Sequence, residues 1–290
     1  MREADSIDNA PCFGTTAADG ASSPLALRRA IRSRRYHGPT AGLAPGYLQG
    51  NLAIVPERHA GAFRQFCLRN PKPCPLIAAC RAGSPFISSL GRDIDLRTDL
   101  AGYRVFRSGV YDETVSDLQA LWREDLVGFV LGCSFSFEES IRRCGITLRH
   151  IEAGRNVAMY KTNIETIPAG RFHGPLVVSM RSFKPYDAIR AILCSDRYRL
   201  AHGAPIHIGM PGGIGIKDLM EPDFGDAPIL DDGDIPVFWA CGVTAQLAIC
   251  NAAPDLAITH DPGRMLVSDI SADAAESMFE GIYRPGGMVP

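Results

Sequence analysis

The sequence predicts an α/β protein: a larger parallel or mixed-sheet α/β domain with a smaller α+β domain inserted in it. Three observations lead there. Strand-length apolar runs at 50–55 and 75–80 flank a helical stretch at 56–69, and strand–helix–strand is the connection that parallel neighbours need. The same order returns at 175–180, 185–194 and 205–208, in a shorter setting. Of the 290 residues, 46% are hydrophobic, the share of a folded globular chain, and this length suffices for one large domain or two modest ones. We expect residues 24–138 with 223–270 to form the main domain and 139–222 the insert. Residues 1–23 are small and polar and are expected to lack order. Residues 271–290 are expected to trail off as a C-terminal tail.

The elements follow from local signals. Ser23-Pro24 starts a helix, with Ser as N-cap and Pro in the first turn, which runs to about Arg35. Its arginines 28, 29, 32, 34 and 35 read as a solvated face, with phosphate binding as the alternative. Pro56 opens the helix after the first strand, and Asn70-Pro71-Lys72-Pro73 ends it. No glycine-rich dinucleotide fingerprint follows that strand. Residues 94–99 alternate as a half-buried strand does, with Arg97 and Asp99 as an ion pair or site residues. A hairpin over 103–115 turns at Ser108-Gly109. The capping box Ser116 to Gln119 predicts a helix through Trp122 to Leu131. A second box, Ser136 with Glu139, starts another that Gly145 ends. The following HIEAGRNVAMYKTN has no clean period and reads as a polar loop. Gly212, Gly213 and Gly215 make a loop without P-loop spacing, and residues 231–234 make an acidic turn. Residues 236–240 read as a buried strand, 244–251 as a helix, and 256–259 and 265–267 as strands.

Composition excludes several classes. Net charge is −2, which favours neither nucleic acid nor a membrane surface. There is no apolar run near the roughly 18 residues of a membrane span and no signal-peptide core. Nine cysteines, an odd number with no CxxC spacing, point to reduced thiols and a cytoplasmic setting. The seven histidines form no HExxH, so no metal site is expected. No cofactor is expected either.

Candidate site residues fall in a few places. Cys241 ends the strand 236–240 just before a helix. It reads as core filler or as a thiol whose pKa the helix N-terminus lowers. Gly242 and Thr244 beside it form a candidate anion cradle. His173, His207, His260 and Glu152 are the acid–base candidates, three of them in or beside strands, where a single such His is usually structural. Arg155, with Asn156, Tyr160 and Asn163, lies in the polar stretch and suits a carboxylate.

GCSFSFEE, RHIEAGRNVAMYKTN, HGPLVVSMR, HGAPIHIG, VFWACGVTAQ and ITHDPGRML together resemble a hydro-lyase family that is similar to a domain of mitochondrial D-glutamate cyclase. The resemblance runs from about residue 25 to 270 and departs from the pattern at Met210, where an acidic residue is expected. It implies a two-part α/β cytoplasmic enzyme that removes water from a small amino or carboxylic acid, with D-glutamate closing to 5-oxo-D-proline as its most concrete form. Beside it stand a non-catalytic small-carboxylate-binding protein and a partner subunit of a larger enzyme. The expected partner is a small molecule, with a homodimer left open.

Overall fold

The computed structural model describes residues 23–279. The disorder expected of residues 1–22, and residues 280–290, lie outside the described residues. In chain order the elements are α1 (Pro24–Arg32), β1 (Tyr47–Pro56), α2 (Glu57–Arg69), β2 (Leu76–Ala79), β3 (Tyr103–Arg107), β4 (Val110–Val115) and β5 (Leu126–Gly132). Then come α3 (Phe135–Arg143), α4 (Arg149–Glu152), β6 (Ala158–Glu165), β7 (Pro175–Phe183), α5 (Pro185–Asp196) and β8 (His207–Ile208). The chain continues with β9 (Ile235–Ala240), α6 (Val243–Ala252), β10 (Ala257–His260), β11 (Leu266–Ser271) and α7 (Ala272–Phe279).

Two sheets organise these elements. One runs β2-β5-β1-β10-β3-β4, with β11 also paired to β1, and the other runs β6-β7-β9-β8. Every strand pairing among the described residues is antiparallel, which corrects the parallel or mixed sheet expected from sequence. The reason is visible at β1. Leu52 and Ile54 enter one core while Ala53 and Val55 enter the core on the other side. A sheet buried on both faces gives unbroken apolar runs, so the runs report burial and not strand direction. The β1–α2–β2 unit is present, but β5 slides between its two strands.

The α2 face carries Phe63 and Phe66 onto Phe129 and Phe172, with ring centroids 5.0–6.5 Å apart. The opposite face holds Leu96, Tyr103, Val105 and Leu126. In the second sheet, Trp239 and Val237 of β9 pack with Phe137, Ile141, Ala188 and Ala191 from α3 and α5. Phe238 and Ala240 face Tyr160, Val178 and Met180 instead. The sheets do not divide the chain at 222–223, because β9 belongs to the second.

Several local expectations change. Residues 116–131 are not one helix. Asp117 Oδ1 accepts from Gln119 N–H at 3.1 Å in a turn, Trp122 Nε1 donates to the Gly83 carbonyl at 2.8 Å, and LVGFVLG is the fully buried strand β5. The 94–99 alternation forms only a bridge between Phe86 and Asp95. Arg97 pairs with Asp95 at 2.7 Å, not with Asp99, which is fully buried against Arg32. Residues 158–165, read as loop, form β6. Residues 272–279, read as tail, form α7 and seat Ala275 in the main core. The hairpin turns as predicted, with left-handed φ at Ser108 and Gly109.

Candidate functional site

Cys133 and Ser134 leave the end of β5, Cys241 leaves the end of β9, and His260 ends β10. With Asn51 of β1, Ser179 of β7 and Asn156, they bring a few polar groups to a cavity of about 20 Å³ at the seam between the sheets, whose other walls are apolar, among them Phe135, Val157, Met159, Val243 and Met265. A water needs roughly 10–15 Å³ by the same measure, so the space admits one oxygen-sized group. Two glycines keep it open. A Cβ on Gly242 would lie 2.3 Å from Asn51 Cγ, and one on Gly263 (φ +84) would lie 3.1 Å from Asn156 Nδ2. Asn51 is held by donating Nδ2–H to the Gly132 carbonyl at 2.5 Å.

Beneath the cavity lies a buried ion pair. Arg181 is 3% exposed and Glu138 is 2% exposed. Arg181 donates from Nε and Nη2 to Glu138 Oε1 at 3.1 and 2.5 Å, from Nη2 to Ser134 Oγ at 2.9 Å, and from Nη1 to Ser179 Oγ at 3.0 Å. Its guanidinium also stacks over Phe137 and Trp239, at 5.4 and 5.5 Å from their centroids. His150 Nε2 lies 3.1 Å from the same Glu138 oxygen. Burial pushes the Glu138 carboxyl up, but Arg181 and His150 together outweigh it and hold its pKa below the ordinary value. Glu138 Oε2 has no hydrogen-bond partner among the described residues.

On the other side of Asn156 lies a second small cavity of about 30 Å³, lined by Arg149, His150, Arg155, Arg181 and Asp226 among others. Asn156 borders both cavities. Its N–H donates to Asp226 Oδ2 at 2.7 Å, which fixes the backbone there. Arg149 is committed to Asp231, at 3.0 Å, and to Asp234. The Arg155 side chain is exposed and donates to the Ala227 carbonyl at 3.4 Å. No cluster of three His, Cys, Asp or Glu able to hold a metal ion occurs among the described residues.

Of the residues singled out from sequence, Asn156, Cys241 and His260 converge on the inner cavity, Gly242 supports it, and Arg155 stands at the outer one. The others lie elsewhere. Glu152 is exposed at the end of α4, and His173 is exposed before β7. His207 is bonded through Nε2 to the Met210 carbonyl at 2.7 Å. The Tyr160 hydroxyl donates to the Leu219 carbonyl at 2.6 Å, and Asn163 packs on Gly215. Thr244 Oγ1 accepts from Val177 N–H at 2.9 Å, joining α6 to β7.

The Cys241 thiol departs from the helix-dipole expectation. Burial pushes its pKa up to about 11, against the lowering effect of the Val243 N–H, so it is a neutral thiol at pH 7. Burial likewise lowers His260 to about 4. Its Nδ1 faces the Leu52 carbonyl at 3.4 Å. A carbonyl only accepts, so Nδ1 carries the proton and Nε2 keeps a lone pair. The residues not picked out for the site were Asn51, Ser134, Glu138, His150, Ser179 and Arg181. A lone Asn inside GNLAIV and an Arg inside LVVSMR were the available signals, since a polar group in an apolar strand must find a buried partner.

The fold and this seam place the chain among α/β proteins with a compact site between two antiparallel sheets, where a few polar groups meet an apolar wall. A family described as D-glutamate cyclase matches residues 127–269, which contain every residue of the inner cavity except Asn51. A "Putative hydro-lyase" of Verminephrobacter eiseniae is 57% identical over 84% of this chain and 89% of its own length. Another, of Methylobacterium radiotolerans, is 53% identical over 87% of this chain and 95% of its own. A third, of Bordetella pertussis, is 57% identical over 80% of this chain and 84% of its own. The chain belongs to this hydro-lyase family. Among solved structures, a nitrogen repressor-like protein of Methanococcus jannaschii matches 83% of this chain and 92% of its own at 11% identity and TM-score 0.37, too distant to carry an argument.

Proposed function

We propose that the protein is a lyase that removes water from a small amino or carboxylic acid, and that cyclisation of D-glutamate to 5-oxo-D-proline is the reaction to test first. The observation that carries this reading is the meeting, at Asn156, of a charged outer cavity with a neutral, oxygen-sized inner one. Arg155 and Asn156 hold the α-carboxylate by charge-assisted bonds. The side-chain carboxyl enters the inner cavity, where N–H groups at the head of α6 and the Asn51 amide face its developing oxyanion. The substrate ammonium first gives up a proton, which the His260 Nε2 lone pair accepts. The amine then attacks the carboxyl carbon, a C–N bond forms and a C–O bond breaks. As the amide forms the nitrogen loses a second proton, and the leaving oxygen takes both nitrogen protons, relayed in turn by the His260 imidazole beside the neutral Cys241 thiol, and departs as water. Arg181 and Glu138 position Ser134 and Ser179 in the wall.

A second reading, a small-carboxylate-binding protein, is favoured by the same two pKa values. With Cys241 near 11 and His260 near 4, neither group is matched to proton transfer at neutral pH. Turnover separates the readings. Purified full-length protein is incubated with D- and L-glutamate, 5-oxoproline and small hydroxy acids, with and without a chelator. Loss of water from one of them supports the lyase. Saturable binding of the panel without any turnover supports the binding protein.

A further inference from the structure

A cavity far roomier than those at Asn156 lies away from the candidate site. A groove of about 310 Å³ opens between the loop that follows α2 and the end of α5. Small-molecule sites run from roughly 300 to 1,000 Å³, whereas the two cavities at Asn156 hold about 20 and 30 Å³. Among the described residues, none lines both the groove and either of those cavities.

The groove has a built floor and a charged rim. His202 lines the floor at 2% exposure, in a left-handed conformation (φ 78) that is costly for a residue with a side chain. Its Nδ1 lies 2.8 Å from the Lys72 carbonyl, so Nδ1 carries the proton and Nε2 is left with a lone pair and no partner among the described residues. Burial lowers its pKa to about 4, so the ring is neutral at pH 7. On the rim, the Lys72 ammonium and the Arg199 guanidinium make no hydrogen bond or ion pair with the described residues. Burial lowers the Lys72 pKa while Asp196, also on the rim, opposes that. Two cations against one carboxylate leave one positive charge to be met, and Pro71, Pro75 and Ala204 supply an apolar wall.

We propose that this groove is a second binding site, separate from the candidate site, for a small organic carboxylate of single negative charge. The carboxylate lies between Lys72 and Arg199, its apolar body lies on the two prolines, and a hydroxyl or N–H of the ligand donates to His202 Nε2. Asp196 disfavours dianions such as phosphate monoesters.

The test is calorimetric titration of the full-length protein with benzoate, phenyl phosphate and inorganic phosphate. Benzoate binds saturably and tighter than either phosphate. Lys72→Gln with Arg199→Gln weakens it about ten- to hundredfold, the loss of a charge-assisted contact, and Arg155→Ala leaves it unchanged. Asp196→Asn tightens phenyl phosphate more than benzoate, a gain that misfolding cannot produce. No saturable benzoate binding, equal binding in the double variant with an unchanged melting temperature, loss in Arg155→Ala, or inorganic phosphate binding as tightly as benzoate would each overturn the proposal.

Discussion

Arg28 and Arg181 are both almost fully buried, at 0% and 3% exposure, and both meet carboxylates, but their surroundings differ. Arg28 clamps α1 onto β11. It donates to Asp269 at 2.7 and 3.0 Å, to the Val267 carbonyl at 2.9 Å and to the Arg92 carbonyl at 3.2 Å. Asp93 and Asp99 stand 3.8 Å away, and Asp269 keeps a side chain 32% exposed. Charge there is shared among three carboxylates, two of which, Asp93 and Asp269, reach water. Arg181 has one carboxylate, Glu138, which is itself buried with an unused oxygen, and spends its other bonds on two serines of a cavity wall. A buried ion pair is weak evidence for stability, because apolar replacements of like volume are often as stable. The first cluster therefore reads as scaffold, and the second as the support of a site.

Removing either arginine tests that contrast most strongly. Arg28→Met takes the direct cation from half-buried Asp269, and Arg181→Met takes the guanidinium from buried Glu138, leaving it only His150; each should lose up to about 3–5 kcal/mol in urea unfolding. Only Arg181→Met should also lose ligand response and activity per folded molecule. Equal functional loss in both would break the comparison.

Acid titration comes next. His202 and His260 have pKa values of about 4 in the folded chain, against about 6.5 when exposed. The unfolded chain therefore takes up these protons first. Stability holds above about pH 6.5 and declines toward pH 4, with each ring accounting for up to roughly 3 kcal/mol of the loss. His260→Gln should flatten that slope in a series of urea melts, and an unaltered slope would show that the ring is not buried neutral.

Smaller effects probe the cavity itself. Gly242→Ala forces Asn51 aside and should cost about 1–3 kcal/mol as overpacking does, with a larger drop in activity than in stability. Cys241→Ser should keep the fold, and Cys241→Ala should lower activity only modestly, because a thiol of pKa about 11 is not a nucleophile at pH 7. Near-complete inactivation of a folded Cys241→Ala protein would restore the nucleophile reading. Arg155→Ala should shift stability by no more than about 0.5 kcal/mol while weakening the amino-acid and dicarboxylate ligands of the Asn156 cavities by one to two decades, the worth of a pair of about 1.5–3 kcal/mol. Arg155→Lys should recover part of that loss, which dicarboxylate-induced melting shifts would show.

Much of the fold was legible where a signal is local. The Ser23 cap, the α2 helix and the 108–109 turn stand as the residues dictate. Strand partners were not legible, because β1 meets β5, β10 and β11 from across the chain, and no local pattern encodes that. The 126–132 strand was masked by a capping pattern just before it. The site was half legible. Cys241, His260 and Asn156 are in motifs that end strands or turn sharply. Asn51, Ser179 and Arg181 lie inside apolar strands, and their roles depend on which sheet face meets the other, which periodicity alone leaves open.

The measurement that tests the central claim most directly is chiral detection of 5-oxo-D-proline after D-glutamate is incubated with wild-type protein and with folded Arg181→Met. The account predicts product from the wild type and its loss in the variant. Loss of water from a different small acid would keep the lyase and replace the substrate. Ligand-stabilised wild-type protein that releases water from none of the panel would contradict it.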